Sequence, residues 1–264
     1  MLRRLFFALL GASAIVSAAD AADLGRSLKD EPVYVAPFTW TGRYIGVNIG
    51  YGWGRGDTDV IPLPDTDTFY DLLPVTLDPK PDGVLGGAQV GYNWQTGTLV
   101  FGVEADIQGA GISGSVVEAP IIDSQGAVYG GNGDNITIRQ KLDWFGTARL
   151  RAGTTALDPK LLLFVTGGLA YGQVKGDANA DFRPTGTEQY PAHYSDTRTG
   201  WALGAGFEWA FADCWTFKTE YLHLDFGSKS VTANPVPVNP PYQINYDFDT
   251  QVDIVRVGVN YKFN

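Results

Sequence analysis

Apolar and polar positions alternate along this chain with period two, and the alternation returns again and again. In "TGRYIGVNIGYGWG", Ile45, Val47, Ile49, Tyr51 and Trp53 share one face, while Tyr44, Gly46, Asn48, Gly50 and Gly52 share the other. Successive side chains of a strand point to opposite faces, so the pattern predicts a strand with one dry side. It recurs in "GGAQVGYNW" (Ala88, Val90, Tyr92, Trp94) and "LVFGVEADIQG" (Leu99, Phe101, Val103, Ala105, Ile107). "KLDWFGTARLRAG" puts Leu142, Trp144, Gly146, Ala148 and Leu150 on the dry side, and "LLLFVTGGLAYG" puts Leu161, Leu163, Val165, Leu169 and Tyr171 there. "GWALGAGFEWAF" (Trp201 to Phe211), "WTFKTEYLHLDFG" (Trp215, Phe217, Tyr221) and the closing "DIVRVGVNYKFN" (Val255 to Phe263) complete eight predicted strands, with no convincing helix.

The connections alternate in length. "QTGT", "TTALDPK" and "ADC" are short, while residues 55–83, 111–138, 176–198 and 227–248 read as long, Pro- and Asp-rich loops. Short turns at one end and long loops at the other are the asymmetry of outer-membrane barrels.

The dry face can meet either a protein core or lipid. A secreted sandwich or lipocalin-like barrel would turn it inward and coat the other face with Lys and Glu. Here the other face is mostly Gly, Ala, Asn and Thr with isolated charges, which suits the crowded inside of a narrow barrel. Trp and Tyr cluster near strand ends (Trp40, Tyr51, Trp53, Tyr92, Trp94, Trp144, Trp209, Trp215, Tyr221, Tyr261), as in an interfacial girdle. The strands are long enough to cross a bilayer when tilted, and a sheet in lipid must close on itself. The expected fold is therefore an all-β, antiparallel, up-and-down transmembrane barrel of eight strands. Its final strand must pair with its first.

Composition narrows the picture. The 264 residues carry 33 Gly, 13 Tyr, 14 Phe and 7 Trp, and a formal charge of −10. An acidic chain without a basic run excludes a nucleic-acid partner. The start, "MLRRLFFALLGASAIVSAADAADL", has Arg3 and Arg4, an apolar run and then small residues, which predicts a cleaved export signal over residues 1–21, with a cut after Ala18 as the competitor. Losing Arg3, Arg4 and Asp20 takes the charge to −11. Residues 22–37 read as a periplasmic leader and residues 38–264 as the barrel domain.

Six stretches in order, "WTGRYIGVNIGYGWG", "LDWFGTARLRAG", "LLFVTGGLAYG", "GWALGAGFEWAF", "WTFKTEYLHLDFG" and "VRVGVNYKF", resemble the small eight-stranded outer-membrane barrels of the OmpA-like and opacity type. They are most similar to the alphaproteobacterial outer-membrane immunogenic proteins of the porin family. That resemblance implies a Gram-negative outer-membrane location, with lipid and lipopolysaccharide as surroundings, structural and antigenic roles, and in some members haem binding or host contact. It also implies a C-terminal signal for the barrel-assembly machinery, here Tyr261 and Phe263. The family ends in an aromatic, whereas Asn264 follows Phe263 in this chain.

Alternation also nominates interior charges: Glu104, Asp106, Lys141, Asp143, Arg149, Arg151, Glu208, Lys218, Glu220, Arg256 and Lys262. Acids and bases nearly balance, and buried charges need partners, so an internal ion-pair network is expected, as a structural plug or an ion gate. The lower part of that network is expected from Glu208, Lys218, Glu220 and Arg256. No catalytic set emerges: His223 lies two residues from Asp225, but no Ser is placed as a nucleophile. His193 and His223, with Tyr194, Tyr221 and Tyr242, are generic haem or metal ligands, and no cofactor is expected. Cys214 reads as a free thiol in a short turn. The expected function is a non-enzymatic envelope protein displaying surface loops. A narrow pore, or a surface receptor or adhesin, is the alternative.

Overall fold

The computed structural model describes residues 38–63, 75–121, 134–183, 187–237 and 242–263. The expected signal and leader (residues 1–37), parts of the long connections, and Asn264 lie outside the described residues. The strands are β1 (Gly42–Arg55), β2 (Thr58–Leu63), β3 (Val75–Leu77), β4 (Asp82–Thr96), β5 (Leu99–Pro120), β6 (Asn135–Asp158), β7 (Leu161–Asp181), β8 (Gln189–Ala212), β9 (Trp215–Ala233) and β10 (Gln243–Phe263). Eight of them, β1 and β4 through β10, form a closed antiparallel ring, because β10 pairs with β1 from Phe263↔Arg43 to Gln251↔Arg55. The short β2 and β3 continue this seam upward, with β2 pairing on β10 from Phe248↔Thr58 to Gln243↔Leu63. The short turns fall where the spacing predicts. In the tightest, Gly97 takes φ 61°, a backbone conformation that a side chain would strain.

The long connections need correction. Much of residues 111–121, 135–138, 176–181, 189–198, 227–233 and 243–248 is strand, not loop. These extensions alternate too, but in the opposite phase. On β10 the outer face runs Phe263, Tyr261, Val259, Val257, Val255 and then Asp253, Gln251, Asp249, Asp247. Its inner face runs Lys262, Asn260, Gly258, Arg256 and then Ile254, Val252, Phe248, Tyr246, Ile244. β7 repeats the switch: outside, Leu163, Val165, Leu169 and Tyr171 give way to Gln173, Lys175 and Asp177; inside, Val174, Ala178 and Ala180 are buried.

The barrel is thus two stacked halves of inverted polarity. The half near the short turns is apolar outside and polar inside. On β4 its apolar face runs from Trp94 to Val84, ten residue steps, or about 33 Å of strand. Tilted by about 40°, that spans about 25 Å, the height of a barrel's lipid-facing band. The other half is polar outside and filled by an apolar core that includes Ile112, Ile138, Phe145, Tyr190, Leu222, Leu224, Tyr246, Phe248 and Ile254. Tyr246 pins this core: its hydroxyl donates to the Tyr190 carbonyl and accepts from the Ala180 amide, both at 2.9 Å.

A second, smaller apolar cluster closes the bottom. Trp40 is 1% exposed, packs with Val100, Leu162 and Phe164, and donates its indole N–H to the Pro159 carbonyl at 2.9 Å. It belongs to the interior and not to the girdle, because it precedes β1 and turns in under the barrel mouth.

Candidate functional site

Nine of the eleven candidate interior charges are buried: Glu104, Asp106, Arg149, Arg151, Glu208, Lys218, Glu220, Arg256 and Lys262. All but Lys262 meet in one layer between the two apolar clusters. Arg149, on β6, contacts Glu104 at 2.5 Å, Glu220 at 2.7 Å and Asp106 at 2.9 Å. Arg256, on β10, contacts Glu220 at 2.6 Å and Asp106 at 3.0 Å. Lys218 reaches Glu104 at 2.7 Å and Glu220 at 3.3 Å, and Arg151 reaches Glu208 at 2.8 Å. Four carboxylates face four cations, so the layer is neutral. Lys262 lies nearer the bottom, with its ammonium 5.5 Å from the Phe38 ring.

Pairing runs across the bore and not only along the rungs. Glu208 stands opposite Lys218 in the ladder, yet it pairs with Arg151 and accepts from Thr216 (2.5 Å) and Asn260 (2.8 Å). Glu208, Lys218, Glu220 and Arg256 therefore do not form a separate lower group; Glu104, Asp106, Arg149 and Arg151 interleave with them. Two members escaped the list of charges. Tyr44 donates to Glu104 at 2.7 Å and accepts from Arg151 at 2.8 Å. Phe164 carries the Arg151 guanidinium 4.1 Å from its ring centroid. Room for Tyr44 comes from Gly91, where an added Cβ would lie 2.3 Å from the phenol oxygen.

Lys141 and Asp143 are the exceptions. They point outward, the Lys141 side chain 52% exposed, and Asp143 joins Lys141 and Lys175 at 2.6 Å each. The cause is a bulge on β6 between Leu142 and Trp144. One extra residue reverses the alternation, so Leu142 and Phe145 both face inward. Hydrogen bonds from the two lysines hold the Asp143 carboxyl below its ordinary pKa.

The histidines do not converge. His223 pairs with Asp253 at 2.8 Å and not with Asp225, and Tyr221 donates to the same Asp253 oxygen at 2.6 Å. His193 pairs with Asp177 at 2.6 Å. Leu203 is the β8 partner of His223, and His193 lies ten residues beyond it, about 33 Å of strand. Tyr194 is buried in the apolar core. Among the described residues no group of three or more His, Cys, Asp or Glu side chains is arranged to hold a metal ion. Tyr261 and Phe263 face outward at the end of β10, with ring centroids 5.1 Å apart, and Tyr261 also meets Trp215 at 5.1 Å.

Comparison with known proteins agrees with this architecture. The outer membrane protein beta-barrel domain family matches residues 6–263. The 31 kDa outer-membrane immunogenic protein of Brucella melitensis is 38% identical over 258 residues, covering 96% of each chain. The 25 kDa outer-membrane immunogenic protein of Brucella abortus is 30% identical, covering 97% of this chain and 94% of its own. A 22 kDa outer membrane protein of Rhizobium leguminosarum is 30% identical over 74% of this chain and 73% of its own. Among solved structures, the Escherichia coli outer membrane protease OmpT aligns with a TM-score of 0.48 at 11% identity, covering 87% of this chain and 99% of its own. The chain belongs to the outer membrane protein beta-barrel domain family and is an eight-stranded barrel of the outer membrane.

Proposed function

We propose that the protein is a non-enzymatic, non-conducting scaffold of the outer membrane, contributing to envelope integrity and carrying its long connections as surface antigens. The observation behind this reading is the apolar core stacked on the ion-paired layer. A solute would have to part a neutral, cross-bore ion-pair layer and then wet a bore lined by Leu222, Ile254, Phe145 and Phe248. Hydrophobic constrictions of this kind block by dewetting. The strands beyond the lipid-facing band, such as Gln173 to Asp181 on β7, add eight residue steps, or about 26 Å of strand. They lift the connections clear of the headgroups on a packed pedestal. The names of the relatives, immunogenic outer-membrane proteins, fit a displayed antigen. Lipid and lipopolysaccharide surround this barrel, and Tyr261 with Phe263 is the segment we assign to the barrel-assembly machinery.

Planar-bilayer conductance of the refolded protein, after a heat-dependent gel shift confirms folding, is the test. A folded protein that stays silent supports the scaffold. Discrete, reproducible steps overturn it and make the charge layer a filter.

A further inference from the structure

We propose that the outer wall formed by β5, β6 and β7 holds the phosphorylated headgroup of an outer-leaflet lipid, with an acyl chain in the apolar groove beneath. This requires the barrel to stand in a bilayer, but it is independent of whether the bore conducts.

Two adjacent rungs carry the headgroup site. One reads Ser113, Lys141, Lys175 across the three strands, and the next reads Ser115, Arg139, Asp177. A surface pocket of about 270 Å³ opens between them. Lys141 and Lys175 stand directly opposite each other, an unfavourable like-charge pair. Asp143 is their shared counter-ion, and its one charge faces two. Arg139 makes no ion pair among the described residues, and Asp177 is turned to His193. The wall thus offers cationic donors in excess, flanked by two hydroxyls, which is the chemistry that grips phosphate oxygens. The opposite wall is acidic instead, with Asp59, Asp247, Asp249 and Asp253 on the outside of β2 and β10. In a chain of charge −10 this local excess of cations on one wall favours it for an anion.

The height is right for a headgroup. Trp144 and Tyr171, rings 6.1 Å apart, sit just below on the same strands, at the level where aromatic belts meet the interface. Lys175 lies four residues above Tyr171, about 13 Å of strand, and lysine stems bend toward the interface. Below the belt an apolar groove of about 660 Å³ runs between Val90, Val103, Leu150 and Leu169. Its floor is low because Ala105 and Ala148 face each other there. Ala148 is seven residues from Lys141, about 23 Å of strand, and at a tilt of about 40° this is a depth of about 18 Å, so the groove lies where an acyl chain that fills the ~15 Å leaflet ends.

The test is lipid retention by refolded protein in non-ionic detergent, read by native mass spectrometry. The probes are a diphosphorylated, acylated glucosamine lipid, the same lipid after phosphatase treatment, and inorganic phosphate. We expect one copy of the phosphorylated lipid on the wild type, with dephosphorylation weakening it at least tenfold. Arg139→Gln/Lys141→Gln/Lys175→Gln should weaken it roughly a hundredfold, since each basic residue near a lipid surface contributes about a fivefold effect. Lys229→Gln, on β9 and paired with Asp196, should leave it unchanged, and the heat shift of every variant confirms the fold. Equal retention of both lipids, or no loss in the triple variant, overturns the proposal. Competition by inorganic phosphate as strong as by the lipid also overturns it, leaving a plain anion site. Loss of the heat shift in wild type would instead overturn the membrane-barrel reading itself.

Discussion

Ile254 and Arg256 stand one above the other on the inner face of β10, and the barrel changes solvent between them. Arg256 is tied to Glu220 and Asp106, while Ile254 is fully buried in the apolar core. On the outer face the change is reversed between Val255 and Asp253. One strand therefore serves two environments by inverting its phase where the bilayer ends.

The ion-paired layer gives the first prediction. Glu220 meets Arg149, Arg256 and Lys218, so Glu220→Gln strands buried positive charge. Breaking a buried pair from one side costs about 3–5 kcal/mol. The midpoint of urea unfolding, followed by the heat-shift assay, should fall accordingly. Glu220→Gln/Arg256→Gln should recover part of the loss, because the second change removes one stranded charge.

The apolar core makes a separate prediction. Phe248 is fully buried, with its ring 5.0 Å from that of Tyr194. Phe248→Ala leaves a cavity costing about 3–5 kcal/mol. The damage should stay in the outer half: limited proteolysis should cut near residues 173–198, while the membrane half keeps its heat-shifted mobility. Loss of both together would mean that the halves fold as one unit.

Much of this was legible in the sequence, and the failures have physical causes. Eight strands, the closing pair and most of the lipid-facing set follow from period two, but Leu142, expected on the dry face, and Trp40, expected in the girdle, both lie inside. The outer half was also written there, in Ile244, Tyr246, Phe248 and Val252, and the adjacent apolar pair Ile254–Val255 marks the change of phase. Pro and Asp in the same segments outweighed that alternation, since they are also the signature of loops. The bulge at Asp143 was not legible, because one extra residue in "KLDWFG" leaves a plausible alternation in either register. Ladder neighbours could be anticipated, but bonds across the bore, such as Glu208 to Arg151, depend on a closed barrel's curvature. Tyr44 sat on the polar face from the start, but a phenol among glycines carries no sign of its two ionic partners.

Tyr44 can be probed from both sides. Tyr44→Phe removes the hydroxyl that Glu104 and Arg151 share, at a cost of about 1–3 kcal/mol. Gly91→Ala puts a methyl 2.3 Å from the same ring, and such overpacking costs about 1–3 kcal/mol. Tyr44→Ala/Gly91→Ala should be less harmful than the sum of its parts, because the methyl then has nothing to strike. Urea midpoints of the wild type, Tyr44→Ala, Gly91→Ala and the double variant measure the coupling.

Asp249 gives a dependence on pH. It lies on β10 beyond the lipid-facing band, and partial burial raises its pKa, helped by the charges of Asp225 and Asp57. The folded state therefore binds this proton more readily than the unfolded chain, whose aspartates titrate at about 3.9. Stability from this group is lost as pH rises from there through the raised folded value, and it is regained on acidification. Asp249→Asn keeps the side chain's size and removes the charge. The variant should equal or exceed the wild type at neutral pH, with the difference shrinking as the pH falls to about 4. Asp143, whose pKa is lowered by its lysines, contributes the opposite slope, so the comparison has to be wild type minus variant at each pH. A variant that is less stable at pH 7 and relatively better in acid would show that the charged carboxylate is an acceptor the outer half needs.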